Sequence, residues 1–228
     1  MKKLFLISIS ILCFQNFYSQ NVSSKTGNWY NYFYMYQPEN SNFGIQGDVQ
    51  SRNYNLLGDF EQLMLRSGLT YSPEKSNIIF TLGYAYIPTE SYSEPTSYSK
   101  ENRIYQEALI PQSIFENVQL THRFRYEQRF VEGNDFNTRF RYNLFVNIPV
   151  FSSDFSPKST YLALYNEVFI NGSKNASNNQ NDFFDRNRAY AALGYVISEK
   201  LKVQFGYMRQ ISNSLNKGQL QISLHHNL

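Results

Sequence analysis

The chain has 228 residues, a length typical of one domain. Its formal net charge of +3 at pH 7 is too small to indicate a nucleic-acid partner, and the arginines are balanced by acidic residues along the chain. Tyr and Phe number 19 each, an aromatic content that is typical of proteins with aromatic girdles at the two surfaces of a membrane.

Residues 1–19 have the pattern of a secretory signal peptide. Two lysines precede an apolar run at 4–14, which is too short to cross a bilayer as a helix. We predict cleavage after Ser19, which leaves 20–228 as a single barrel domain. The only cysteine, Cys13, lies in the leader, so we expect neither a disulfide nor a cysteine metal site in the mature chain.

Alternation of apolar and polar residues with a period of two predicts strands along the mature chain. The first strand, at 29–36, is aromatic on both faces, so its orientation stays open. Strands with one apolar face begin near Phe43, Leu63 and Ile78. A six-residue connection between the last two strands would place Arg66 opposite Gly83, where the missing side chain leaves room for the guanidinium group.

Two stretches, 88–100 and 171–182, have the composition of long exposed loops. Between them, a strand that carries Arg103 is predicted to end near Pro111. We expect these loops to be extracellular and the short turns at 73–75 and 198–200 to be periplasmic.

The stretch from Val118 to Ile148 carries the clearest pattern: two alternating strands of about 14 residues around a turn, where about five or six residues is usual in soluble sheets. One face is apolar and the other is rich in arginine. The spacing places Glu127 opposite either Arg139 or Arg141, a favourable cross-strand pair. Long strands that are apolar outside and charged inside indicate the wall of a transmembrane barrel.

Further alternating strands at 161–170, 183–197, 201–210 and 219–224 complete about eleven segments. Bacterial barrels prefer even numbers, so either the segment at 29–36 lies outside the wall, which gives ten strands, or one strand escapes the pattern, which gives twelve. We favour twelve. The predicted fold is all-β, an antiparallel transmembrane β-barrel of about 10–12 strands that closes on the C-terminal strand, embedded in outer-membrane lipid.

The inward faces carry charged side chains that we predict to form a network lining the lumen. These are Arg66, Arg103, Arg123, Arg125, Glu127, Arg129, Arg139, Arg141, Glu167, Arg186 and Arg188, with Glu61 and Glu107. The leading hypothesis is a structural or interaction barrel whose narrow lumen is filled by salt bridges. The alternative is a small anion-preferring channel or solute-binding barrel, because nine bases exceed four acids.

An outer-membrane hydrolase is the third hypothesis. The sequence contains few candidates for a catalytic base or nucleophile. His122 falls on the apolar face, and the adjacent residues His225 and His226 point to opposite faces. No nucleophile motif is present. We therefore expect no catalytic residues, no metal and no cofactor. The oligomeric state stays open.

Several motifs resemble a known family. The most specific is Arg123-x-Arg125-x-Glu127-Gln128-Arg129 followed by Arg139-x-Arg141-Tyr142. From about Trp29 to Leu228 the chain resembles the outer-membrane barrel family catalogued as domain of unknown function 2490. The resemblance implies a location and a fold, and it supplies no activity and no catalytic residue.

Overall fold

The computed structural model describes residues 26–56, 58–91, 95–115, 117–172, 183–213 and 215–228. Eleven strands run through these described residues. They are β1 (Gly27–Tyr36), β2 (Phe43–Asn55), β3 (Gly58–Tyr71), β4 (Ile79–Glu90), β5 (Tyr98–Ile114), β6 (Val118–Val131), β7 (Asn137–Val150), β8 (Thr160–Asn171), β9 (Phe184–Ser198), β10 (Leu201–Ser212) and β11 (Asn216–Asn227). The predicted signal peptide and most of the predicted loop at 171–182 lie outside the described residues.

The strands form a closed barrel in which each is paired with its neighbour in sequence, and β1 is paired with β11. Consecutive strands are antiparallel, whereas β1 and β11 are parallel, with Trp29 opposite Gln221. The expected even number of strands is therefore wrong. With an odd number, the first and last strands run in the same direction, and a parallel ladder pairs their backbone groups without an additional strand.

The two ends of the barrel differ in their connections. We call the end where β1 and β11 begin the N-terminal mouth and the other end the C-terminal mouth. The connections at 91–97 and 172–183 lie at the N-terminal mouth, and those at 72–78 and 199–200 lie at the C-terminal mouth. The two connections predicted to be loops therefore share one end, and the two predicted to be turns share the other, although 72–78 is as long as 91–97.

The outer face is apolar around the whole ring. Every strand exposes at least one large apolar or aromatic side chain: Tyr30, Val49, Leu65, Leu82, Ile104, Phe124, Phe140, Ile170, Leu193, Phe205 and Ile222, in strand order. Alternation places the intervening polar side chains inside. Within the described residues, no helix is long and apolar enough to cross a membrane.

Two strands extend further than their composition indicates. β4 continues to Glu90 and β5 begins at Tyr98, so the loop predicted at 88–100 is shorter, because Pro88 and Thr89 pair with β5. β5 also passes through Pro111 to end at Ile114. The ladder with β4 ends at Leu109, and a proline is tolerated beyond that point because β5 is an edge on that side.

The register between β3 and β4 also differs from the prediction. Pairing begins with Tyr71 opposite Phe80, which shifts the ladder by two residues and places Arg66 opposite Ala85. The space at Gly83 is taken by the ring of Tyr105, which a Cβ atom on Gly83 would overlap. The glycine therefore makes room for a tyrosine on the neighbouring strand rather than for an arginine.

Candidate functional site

Glu127 lies at the centre of a charged wall on the inner face of β5 to β8. The register pairs it with Arg139, one of the two predicted arrangements. Its Oε2 accepts a hydrogen bond from Arg139 Nη2 at 2.6 Å, and its Oε1 accepts one from Arg141 Nη1 at 2.6 Å. Arg103 and Arg125 are at 3.7 and 3.9 Å. The residue is 1% exposed, so this carboxylate is buried and surrounded by four guanidinium groups.

Two further carboxylates continue the wall on either side. Glu167 Oε1 accepts hydrogen bonds from Arg141 Nη2 at 2.6 Å and from Arg123 Nη2 at 2.7 Å. Glu107 Oε2 lies 2.5 Å from Arg125 Nη2 and 3.8 Å from Arg123 Nε. Each acid therefore contacts more than one arginine, and Arg123 and Arg141 each bridge two acids, which links β5 to β8 through charged hydrogen bonds.

Two buried acids of the lumen, Glu101 and Asp48, were absent from the predicted network, as was the less buried Asp185. Glu101 Oε2 accepts hydrogen bonds from Arg103 at 2.7 Å and from Arg129 at 3.1 Å. Asp48 Oδ1 pairs with Arg66 at 2.7 Å. The alternation of the sequence indicates their inward orientation, since Glu101 lies two residues from Arg103 and therefore on the same face of β5.

Ion pairs near the N-terminal mouth complete the set. Asp185 contacts Arg139 at 3.1 Å and Arg186 at 3.0 Å. Lys217 Nζ on β11 donates to Glu61 Oε2 on β3 at 2.8 Å. This pair connects β11 to β3 across β1 and β2, and so stabilises the part of the barrel where β1 and β11 pair.

The structure places ten of the eleven predicted network residues along one cavity. These are Arg66, Arg103, Arg123, Arg125, Arg129, Arg139, Arg141, Glu167, Arg186 and Arg188. Glu127 lies behind them, against the arginines it binds. The predicted residues therefore lie together inside the barrel, around the same cavity.

The other side of the lumen is apolar and aromatic. Trp29 from β1 packs in one cluster with residues of β8, β9 and β10, among them Tyr161 and Tyr190. The connection between β7 and β8 brings Phe155 into the C-terminal mouth, where its ring centre lies 5.4 Å from that of Tyr161. The lumen thus presents a charged wall facing an aromatic wall.

The cavity between the two walls has a volume of about 580 Å³. Its lining includes Arg129 and Lys217 near the N-terminal mouth and Lys202 and Asn227 near the C-terminal mouth. The basic side chains of the strands that line it are Arg52, Arg66, Arg103, Arg123, Arg125, Arg129, Arg139, Arg141, Arg186, Arg188, Lys202 and Lys217. The acidic ones that line it or bind a lining residue are Asp48, Glu61, Glu101, Glu107, Glu127, Glu167 and Asp185. Positive charge is in excess in this part of the chain.

The three histidines are not brought together. His122 lies on the outer face of β6, with Nδ1 2.9 Å from the hydroxyl oxygen of Tyr142. His226 contacts the hydroxyl oxygen of Tyr32 at 2.9 Å, while His225 stacks on Phe33 with ring centres 4.9 Å apart. Within the described residues, no group of three or more potential metal ligands occurs.

A closed ring of strands with an apolar exterior and an ion-paired interior defines a β-barrel protein with a charged lumen. The chain belongs to the family described as Protein of unknown function (DUF2490), whose profile matches residues 26–221. An uncharacterized protein of Methylorubrum extorquens is 29% identical over 188 residues, which is 77% of each chain. No solved structure matches the chain.

Proposed function

We propose that this protein spans the outer membrane as a structural or interaction barrel whose lumen is braced and narrowed by arginine–carboxylate pairs. The observation that carries the proposal is the predominantly apolar outer face, to which every strand contributes at least one large exposed apolar or aromatic side chain. A soluble protein rarely exposes an apolar surface of this extent. Hydrocarbon contact supplies the reason for it, and the closed ladder leaves no unpaired strand edge to meet lipid.

The distribution of charge on the outer face supports the same proposal. Alternation places Glu90, Lys100 and Arg209 on the outer face of their strands, and all three lie near the N-terminal mouth. A basic side chain facing lipid costs about 2–4 kcal/mol at the middle of the bilayer and little near the interface. We assign the N-terminal mouth, which carries the longest connection, 172–183, to the extracellular side.

The ion pairs explain how a narrow charged lumen is stable. Removing a charged group from water costs several kcal/mol, which is offset only when the partner and the remaining hydrogen bonds are present. Glu127 and Glu167 meet this condition, since each binds two guanidinium groups at 2.7 Å or less. A wall braced in this way holds its shape and leaves limited space for free diffusion.

The membrane assignment is tested with the refolded mature chain. We expect it to require detergent or lipid to stay monodisperse, and to migrate differently in gels before and after heating, as folded outer-membrane barrels do. Protein that stays monodisperse in plain buffer with the same barrel would overturn the proposal.

A second candidate, a narrow path for small anions, is favoured by the positive excess and by a cavity lining that reaches both mouths. Planar-bilayer recording separates the two functions. An anion path predicts a steady anion-selective conductance that falls in Lys202→Glu, which reverses a charge near the C-terminal mouth. Silence from folded, inserted protein would remove this candidate and leave the closed barrel.

A further inference from the structure

Trp29 on β1 lies against two arginines from different parts of the ring. The guanidinium carbon of Arg52, on β2, is 3.9 Å from the centre of the tryptophan ring, and that of Arg188, on β9, is 5.0 Å from it. The two guanidinium carbons are therefore at most 8.9 Å apart. Two cations this close inside a barrel repel one another, and an anion near both would offset the repulsion.

Arg52 has no carboxylate within 4.0 Å among the described residues, although it is only 8% exposed. Its hydrogen bonds go to neutral oxygens, Gln62 Oε1 at 2.6 Å and Gln50 Oε1 at 2.7 Å. By contrast, Arg141 has a carboxylate oxygen on each side at 2.6 Å. Arg52 is therefore buried with no carboxylate of the described residues in contact, and Glu61 and Asp48 attract its charge only from further away.

Arg188 is little better neutralised. Its Nε donates to the neutral Gln210 Oε1 at 2.8 Å, and its nearest carboxylate oxygen, on Glu167, is 4.0 Å away. Glu167 already binds Arg123 and Arg141. Contact with an indole ring stabilises a buried cation by less than the burial of that cation costs. An anion between the two arginines would supply the missing stabilisation.

Unsatisfied hydrogen-bond donors lie at the same place. Trp29 Nε1 and Arg52 Nε are buried, and neither has a hydrogen-bond partner among the residues that the structure describes. Trp29 is 6% exposed, so both side chains are more than nine-tenths buried. Buried donors are nearly always paired, and two unpaired ones beside two cations point to an oxyanion as their partner.

The surroundings of this cluster indicate an organic anion rather than a bare ion. Tyr165 and Tyr190 line the same cavity and stack with ring centres 4.7 Å apart, and Tyr190 belongs to the same apolar cluster as Trp29. The cavity volume of about 580 Å³ lies within the range of about 300–1,000 Å³ of small-molecule sites. This volume extends along the whole lumen, and the two tyrosines offer an apolar surface beside the charged groups.

We propose that Trp29, Arg52 and Arg188 form a binding site for a small organic anion, whose carboxylate or phosphate group lies between the two arginines and whose apolar part lies against Tyr165 and Tyr190. The site depends on the barrel and its interior, and it requires neither conduction nor a particular membrane. It adds a ligand-binding role to the structural one.

The tryptophan provides a direct probe, because Trp29 is the only tryptophan in the chain. Folded protein in detergent is titrated with cyclohexanecarboxylate, cyclohexyl phosphate and the neutral isostere cyclohexanol, none of which absorbs with tryptophan. We expect a saturable change in Trp29 emission with at least one of the two anions and none with cyclohexanol. Response to one anion alone identifies the recognised group as carboxylate or phosphate.

Matched variants assign the response to the two arginines. Arg52→Gln and Arg188→Gln should each weaken binding by about tenfold or more, since each removes a charge-assisted hydrogen bond. Arg209→Gln is the control, because it also removes one arginine charge but lies on the outer face of β10, away from the cavity. It should bind as the unaltered protein does. Equal binding by all three variants would overturn the site.

A measurement on the unaltered protein covers the case in which a variant does not fold. Iodide should quench Trp29 more strongly than caesium, and the bound anion should protect Trp29 from iodide. No saturable response to either anion, in protein whose gel mobility still changes on heating, would refute the site while leaving the membrane barrel standing. Loss of the detergent requirement would refute the membrane barrel and not the site.

Discussion

Arg125 and Arg141 lie directly opposite each other across the ladder between β6 and β7. Like charges in this position are destabilising unless each is neutralised separately. Arg125 is bound by Glu107 at 2.5 Å, whereas Arg141 is bound by Glu167 and Glu127, each at 2.6 Å. The facing pair is therefore stable only because acids from β5, β6 and β8 surround it, which makes the wall cooperative.

The first prediction concerns Glu127, the acid with most arginine neighbours. Glu127→Gln keeps the size of the side chain but removes the charge that neutralises Arg139 and Arg141. Arg139 would keep Asp185 and Arg141 would keep Glu167, but the buried wall would lose the negative charge that four guanidinium groups share. This loss should lower the free energy of unfolding by about 3–5 kcal/mol. The midpoint of urea unfolding in detergent measures the effect.

Glu199→Gln is the control for this prediction, because Glu199 lies in the exposed turn between β9 and β10. It should leave the midpoint unchanged. If Glu127→Gln unfolds at the same urea concentration as the control, the ion pairs do not brace the wall.

The sequence predicts the charged wall well, but it does not predict how the first and last strands pair. Alternation alone predicts which face of β6 and β7 is charged and where Glu127 lies, because register within a hairpin depends on one short turn. The parallel pairing of β1 with β11 leaves no local pattern, since it joins residues almost the length of the chain apart.

The cluster at Trp29 was beyond sequence reasoning for the same reason. Arg188 reaches Trp29 although β10 and β11 lie between their strands, and only the closed ring brings them together. The orientation of Trp29 itself stayed open, because β1 is aromatic on both faces. Asp48 and Glu101 alternate in step with the inward arginines, and this pattern places both in the lumen. The predicted register of β3 with β4 was wrong by two residues, because it depended on the assumed length of the turn between them.

The second prediction tests the space at Gly83. A Cβ atom there would overlap the ring of Tyr105, so Gly83→Ala should destabilise the barrel by about 1–3 kcal/mol through overpacking. In a Tyr105→Leu background the same substitution should cost much less. A double-mutant cycle from urea unfolding measures the coupling, and additive effects would contradict the packing of Tyr105 on Gly83.

The third prediction tests whether the apolar outer face meets lipid, as proposed, with two positions on one strand. Leu65 lies at the middle of β3, Phe60 lies close to the N-terminal mouth, and both are 39% exposed. In a bilayer, Leu65→Arg should cost about 2–4 kcal/mol and Phe60→Arg about 0–1 kcal/mol, because the penalty falls towards the interface. Unfolding from lipid vesicles gives both values. Equal costs would mean that this face does not meet hydrocarbon.

The last prediction tests the parallel closure, from which the odd strand number follows. Asn31 on β1 and Ser223 on β11 face each other in register, and Asn31 Nδ2 donates to Ser223 Oγ at 3.0 Å. Cysteines at these two positions, Asn31→Cys with Ser223→Cys, are close enough to form a disulfide. The remaining cysteine, Cys13, is removed with the predicted signal peptide, so a chain that begins at residue 20 reports on this pair alone. We expect a link on oxidation of the folded barrel, seen as faster gel mobility that reverts on reduction.

The control pairs Asn31→Cys with Gln219→Cys, which lies four residues out of register and should stay reduced. Linking of the control in preference to the matched pair would mean that the barrel closes in another register, and linking of neither would mean that β1 and β11 do not meet.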